Sequence, residues 1–256
     1  MVAIDKPFRM AFCLYGQPRT MEFCAPSIKK HILDVYHPDV FACSDSQGDK
    51  IQELFNPVAM EIHSVEEENE LMGEHRLRYG VIQHNSTPYP KFPNQDLSVM
   101  FKTWRCGEMM KENERINGTY DVVSASRFDS KYLSIEPIHI PEENTLYIPR
   151  VDANQGAADV NGVHWGTGYS THFFYGTSAI GRMLFDSYNW SDDHFNEMNE
   201  WNTEKALLWR CKKDNIKVVY IEVRFMLIRG TNERPLSAGA PGEQLPFSPT
   251  NYPEYI

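Results

Sequence analysis

Met10-Ala11-Phe12-Cys13-Leu14-Tyr15 is an unbroken apolar run closed by Gly16-Gln17-Pro18-Arg19, after which Met21, Cys24, Ile28 and Ile32 recur at helical spacing. The order is strand, turn, helix. Pro38-Asp39-Val40-Phe41-Ala42-Cys43 is a second short apolar run, closed by Ser44-Asp45-Ser46 and followed by a short helical candidate and a third run from Val58 to Ile62. Strands alternating with helices predict an α/β fold on a parallel sheet.

Further along, residues 66–96 change character. An acidic stretch leads into Asn85-Ser86-Thr87-Pro88-Tyr89-Pro90-Lys91-Phe92-Pro93, too proline-rich for regular structure, and the segment reads as a long loop. Leu97, Met100, Phe101 and Trp104 then form an i, i+3, i+4, i+7 stripe, with Lys102 and Arg105 off it and Asn117-Gly118 as the stop. Tyr120-Asp121-Val122-Val123-Ser124-Ala125-Ser126-Arg127-Phe128-Asp129 begins as a buried central strand and ends polar, which is where chemistry is expected. Residues 150–176 read as a glycine-shaped loop dense in Asn, Asp, His and aromatics. Ser178 is expected to cap a helix carrying Ile180, Met183 and Leu184, and Asn202 or Thr203 another carrying Leu207, Leu208 and Cys211. Ile216 to Val223 is a further strand, and the tail from Arg234 holds five prolines.

At 256 residues the chain suits one large α/β domain or two small ones, and its 41% hydrophobic and 23% charged residues give a sizeable core. With 25 basic against 35 acidic residues the net charge is -10, which argues against nucleic acid as a partner but allows a small anion in a local pocket. Five scattered cysteines without a C-x-x-C pair read as buried thiols of a reducing compartment. No run approaches the roughly 18 apolar residues of a membrane span, and the start lacks a signal-peptide layout, so a soluble, cytoplasmic chain is expected.

The sequence holds no G-x-x-x-x-G-K-[ST], no complete G-x-G-x-x-G, no H-E-x-x-H and no G-x-S-x-G. P-loop phosphotransferases, fingerprint dehydrogenases, zincins and elbow-type serine hydrolases drop out. Two segments remain. In the first turn Gly16 lets a ligand approach the backbone, Gln17 can pair with a base or ribose, and Arg19 can hold a phosphate bidentately; the same turn reads equally as a tight turn with a solvated arginine. In Ser126-Arg127-Phe128-Asp129, alternation along an extended segment puts Arg127 and Asp129 on one face. They form either a site for a diphosphate with Mg²⁺ or Mn²⁺, or an ordinary strand-end ion pair.

Taken in order, Phe12 to Arg19, Asp39-Val40-Phe41 with Asp45, Tyr120-Asp121-Val122-Val123 into Arg127-Phe128-Asp129, Phe174-Tyr175-Gly176-Thr177-Ser178, Glu204 before Leu207, and Phe225 to Arg229 resemble glycosyltransferases of the GT-A type. The likeness is to the small soluble enzymes of large DNA viruses and bacterial polysaccharide clusters. It implies a single GT-A-like (Rossmann-like) domain over 1–256, a mixed, mainly parallel central sheet flanked by helices. The nucleotide-binding half would be roughly 1–130 and the acceptor half 131–256. It implies transfer of a sugar from a nucleoside diphosphate-sugar donor to a hydroxyl of a glycan or glycoconjugate acceptor, with inversion favoured. By the same resemblance Gly16, Gln17, Arg19, Asp45 and Arg127 bind the donor, and Asp129 is the metal ligand for Mn²⁺ or Mg²⁺. Arg127 stands where the family's acidic D-x-D motif has its other carboxylate. Glu204 is the first candidate for the base, with Asp159 and His172 in reserve. Trp165, Tyr169 and Tyr175 either stack on a sugar ring or belong to an aromatic core. A nucleotidyltransferase, or a non-catalytic glycan-binding protein on a degenerate transferase fold, are the other readings.

Overall fold

The computed structural model describes residues 8–82, 93–149, 172–198, 203–228, 230–231 and 234–235. Its first strand, β1 (Met10–Tyr15), is buried along its whole length. Ala11, Cys13 and Tyr15 enter one core and Met10, Phe12 and Leu14 the other, so every side chain of the run is used. Removing each of the larger ones from water contributes about 1.5–3 kcal/mol.

After β1 come α1 (Met21–Ile28), a π-helical turn (Lys29–Leu33), α2 (Asp34–Tyr36), β2 (Asp39–Ser44), α3 (Gly48–Phe55) and β3 (Ala59–Ile62). Two long helices, α4 (Val65–Ile82) and α5 (Pro93–Asn117), lead to β4 (Val122–Arg127), β5 (Ser130–Ile135), β6 (Thr145–Pro149) and β7 (Phe173–Gly176). The remainder is α6 (Ser178–Phe185), α7 (Ser187–Met198), α8 (Thr203–Lys213), β8 (Lys217–Ile221), β9 (Val223–Leu227) and the two-residue strands β10 (Gly230–Thr231) and β11 (Arg234–Pro235).

Seven of the described strands form one sheet in the order β3-β2-β1-β4-β7-β6-β8. The pairs β1 with β2, β2 with β3, β1 with β4, and β6 with β8 are parallel, and β7 runs antiparallel to both β4 and β6. This is the mixed, mainly parallel α/β sheet with flanking helices that the sequence predicts, Rossmann-like in its first four strands. The core on one face holds Met21, Cys24, Ile28 and Ile32 with Ile51 and Phe55 of α3. The core on the other holds Leu97, Met100 and Phe101 of α5 with residues of α6, α7 and α8. A second, two-stranded sheet pairs β5 with β9.

Several expectations need correction. The acidic stretch is helical: Ser64 and Glu67 form a capping box, the Glu67 carboxylate accepting from the Ser64 N–H at 2.7 Å and the Ser64 hydroxyl from the Glu67 N–H at 3.2 Å. Helix α4 kinks at Gly73, and α5 begins at Pro93, so only residues 83–92 of the expected loop fall outside the described residues. Thr177, not Ser178, caps α6 by accepting from the Ile180 N–H at 3.4 Å. Ser178 instead donates to the buried Glu114 carboxylate at 2.5 Å. Residues 173–176 are strand rather than loop, because Phe173, Phe174 and Tyr175 are all buried between β4 and β6. Lys102, placed off the buried stripe, is itself only 2% exposed and pairs with Glu68.

At the amino edge of the sheet Arg9 gathers several elements. Its backbone N–H donates to Asp121 at 2.8 Å and its guanidinium to Asp39 at 3.1 Å, to Asn113 at 2.7 Å and to the Asn117 and Gly118 carbonyls. The same group lies 4.0 Å above the Tyr120 ring. Among the described residues no helix is long and apolar enough to cross a membrane.

Candidate functional site

The chain leaves β1 toward β2 on one side, while β4 pairs on the other, so the carboxyl ends of β1 and β4 flank a topological switch point. Ligands of open α/β sheets bind in the crevice at that position. Tyr15 and Arg127 are register partners there, which carries the Gly16–Arg19 turn and the Arg127–Asp129 segment to the same edge.

The turn is fixed by its neighbours. Gly16 has φ +106°, a conformation open to glycine but strained for other residues, and no atom lies within 4 Å of where a side chain would begin. Its N–H donates to the Cys43 carbonyl at 3.2 Å and its carbonyl accepts from the Ser44 hydroxyl at 3.1 Å, tying it to the end of β2. Gln17 and Arg19 are exposed beside it, while Pro18 and Thr20 are buried. Asp45 follows β2 directly and is half-buried, accepting from Ser46 at 3.0 Å. The five predicted donor-binding residues and the predicted metal ligand Asp129 therefore stand at or just beyond the carboxyl ends of three adjacent parallel strands.

Arg127 and Asp129 do project together. The guanidinium donates from Nε to Oδ1 at 2.9 Å and from Nη2 to Oδ2 at 2.7 Å, a bidentate pair. Phe128 turns the other way into the core against Phe55, ring centroids 5.9 Å apart. The Asp129 carbonyl accepts from the Ile228 N–H at 2.8 Å, and the Thr20 hydroxyl donates to the Ile228 carbonyl, so the strand end is braced by the segment after β9. Burial first, and the Asp129 charge second, push the nearby Cys24 thiol up to about 12.

Both Asp129 oxygens are thus engaged by one cation. Among the described residues the aspartate is not part of any cluster of three His, Cys, Asp or Glu donors. The strand end presents an oriented guanidinium with one carboxylate, and among the described residues no cluster of three His, Cys, Asp or Glu donors is formed there to complete a ligand set for Mn²⁺ or Mg²⁺.

The acceptor-side residues divide. His172 is half-buried just before β7, its ring centroid 5.7 Å from that of Phe225. Because Ser126 pairs with Phe173 in the antiparallel ladder, His172 stands at the same edge as Arg127. Pro149, at the end of β6, runs parallel to β8 toward that edge as well. Glu204 lies in the first turn of α8, its side chain outside the described residues, as are Asp159, Trp165 and Tyr169. Tyr175 is core rather than sugar platform: it is 1% exposed and stacks on Tyr147 at 4.5 Å.

A second cluster, Cys43, Glu61 and His63, was missing from the sequence reading. Its signal was the Glu61-x-His63 spacing, which puts both side chains on one face of an extended segment. No known protein family and no curated protein matches the sequence.

Proposed function

We propose that the chain is a glycosyltransferase of the GT-A type that moves a sugar from a nucleoside diphosphate donor to a hydroxyl of a glycan or glycoconjugate. The observation that carries this reading is the pairing of Tyr15 with Arg127, which sets a glycine turn bearing Gln17 and Arg19 beside an oriented arginine at the switch-point crevice. Two guanidiniums at one crevice suit a diphosphate, whose charge grows as the sugar departs. Asp129 acts as a positioning residue, holding the Arg127 fork in one orientation. No divalent ion takes part in this reading. Gln17 is assigned to the nucleoside and Asp45 to the donor's ribose or sugar. Of the three candidates for the acceptor's base, His172 stands at the edge where Arg127 ends; Glu204 and Asp159 remain the carboxylate candidates.

The test is a thermal-shift screen of the full chain against UDP, GDP, CDP and their sugars, each with and without Mn²⁺, since a ligand of the folded state raises the midpoint by mass action. The expected result is a shift with one base, equal with and without Mn²⁺, and lost in Arg127→Gln. No shift with any nucleotide would overturn the transferase reading. A shift with free sugars alone would favour the glycan-binding one.

A further inference from the structure

The second cluster lies on the α5 face of the sheet, opposite Phe128. Cys43 of β2 is buried and is the register partner of Glu61 in β3. His63 follows two residues after Glu61, so alternation returns its side chain to the same face. The ligating atoms of the three, a thiol sulfur, a carboxylate oxygen and an imidazole nitrogen, all lie within 4.8 Å of one another. His63 Nε2 is 2.9 Å from Glu61 Oε2. The side chains of His63 and Glu61 are 19% and 24% exposed, which opens the cluster to water on one side.

We propose that Cys43, Glu61 and His63 form a binding site for a divalent ion of the zinc class. Sulfur, nitrogen and oxygen donors together suit a borderline-soft ion and not magnesium or calcium. Nitrogen and oxygen ligands at 2.0–2.1 Å from a tetrahedral centre are about 3.3 Å apart, and a thiolate and an imidazole about 3.6 Å. The ligating atoms, all within 4.8 Å of one another, stand close to those separations. The hydrogen bond between His63 and Glu61 occupies the place where the ion would stand. Solvent supplies the fourth ligand from the exposed side. On binding, Cys43 gives up its thiol proton to water and His63 coordinates as neutral imidazole, with no change of oxidation state.

Arg105 donates to both Glu61 oxygens at 2.7 Å, and the His63 ring rests edge-on against Phe101 with centroids 5.5 Å apart. These are the outer contacts that hold ligating groups in orientation. Asp129 is also held by an arginine, but among the described residues no second and third donor converge there; here an imidazole and a thiol do. The inference is independent of the transferase reading. It borders that site through Cys43, the register partner of Tyr15, whose carbonyl accepts from the Gly16 N–H at 3.2 Å.

The experiment is titration of the metal-free full chain with Co²⁺, followed by absorbance, and then with Zn²⁺. A thiolate-to-cobalt charge-transfer band with tetrahedral d–d bands is expected at a single equivalent, and Zn²⁺ should bleach it. The band should vanish in Cys43→Ser and persist in Cys211→Ser and Cys106→Ser. In His63→Ala, a partly exposed position that leaves the core intact, affinity should fall at least about tenfold, the lower range for disturbing even outer contacts of a metal site. Absence of a thiolate band in the wild-type chain would overturn the proposal, as would unchanged affinity in His63→Ala. Failure of Cys43→Ser to fold would shift the decision to His63→Ala and Glu61→Gln, whose unchanged cobalt affinity would equally sink it.

Discussion

Lys102 of α5 meets Glu68 of α4 where their side chains are only 2% and 4% exposed, and Ser98 completes the contact. The serine hydroxyl accepts from Lys102 at 2.7 Å and donates to Glu68 at 2.7 Å. The two helices are therefore joined by a buried charge pair. Removing one partner leaves the other charge without compensation, so Lys102→Met should cost about 3–5 kcal/mol. Lys102→Met with Glu68→Leu should recover most of that loss, because an apolar pair of similar volume avoids the desolvation penalty. Urea denaturation of the two single variants and the double variant measures the coupling.

Arg127 and Asp129 give opposite expectations for two conservative changes. Arg127→Lys keeps the charge but loses the planar fork, so nucleoside diphosphate affinity should fall about tenfold to a hundredfold, the size of a charge-assisted hydrogen-bond contribution. Asp129→Asn retains an acceptor for the fork and should leave binding within severalfold, with no new dependence on Mn²⁺. Calorimetric titration separates the cases; collapse of a Mn²⁺-dependent affinity in Asp129→Asn would restore the aspartate as a metal ligand.

Gly16 and Gly181 predict the same loss by different causes. A Cβ at Gly16 meets open space, so Gly16→Ala should cost about 1–3 kcal/mol through backbone strain alone. A Cβ at Gly181 would overlap Val123, so Gly181→Ala should cost about 1–3 kcal/mol through overpacking. Val123→Ala removes the overlap with Cγ1 but keeps Cβ at 2.8 Å, so it should relieve the second in part and leave the first unchanged in thermal denaturation.

Stability should fall at alkaline pH. Burial raises the Cys24 and Cys211 thiols from 9.0 to about 12, aided by the charges of Asp129 and Asp214 respectively. Below pH 9 both folded and unfolded chains keep these protons. Between about pH 9 and 12 the unfolded chain releases protons that the folded chain retains, so each thiol costs up to about 1.4 kcal/mol per pH unit. Buried Tyr132 and Tyr175, also raised by desolvation, add to the loss above pH 10. Urea midpoints from pH 8 to 11 should decline, and less steeply in Cys24→Ala.

The apolar run of β1 was decisive in the sequence because burial on both faces leaves no alternation to obscure it. The α5 stripe was equally plain, since Leu97, Met100 and Phe101 all enter the core. Residues whose roles depend on partners far along the chain were not legible: Lys102 looked solvated until Glu68 was placed against it. The short strand β7 carried no signal of its own because four residues fix no period, and its antiparallel direction is set by β4 and β6. In the candidate site, local spacing foretold the Arg127–Asp129 face but not that the carboxylate would be held in a bidentate pair by its neighbour. Cys43 and Glu61 lie too far apart in sequence to suggest a cluster; only strand register joins them.

Arg9 binds the starts of β2 and β4 to the last turn of α5 at the edge of the sheet opposite Gly16 and Arg127. β1, β2 and β4 thus have one end tied for cohesion and, under the proposed transferase reading, the other for recognition. Such a division permits divergence: Gln17, Arg19 and Asp45, exposed or half-buried beyond the strand ends, can be exchanged in descendants or designed libraries while the frame that displays them stays intact.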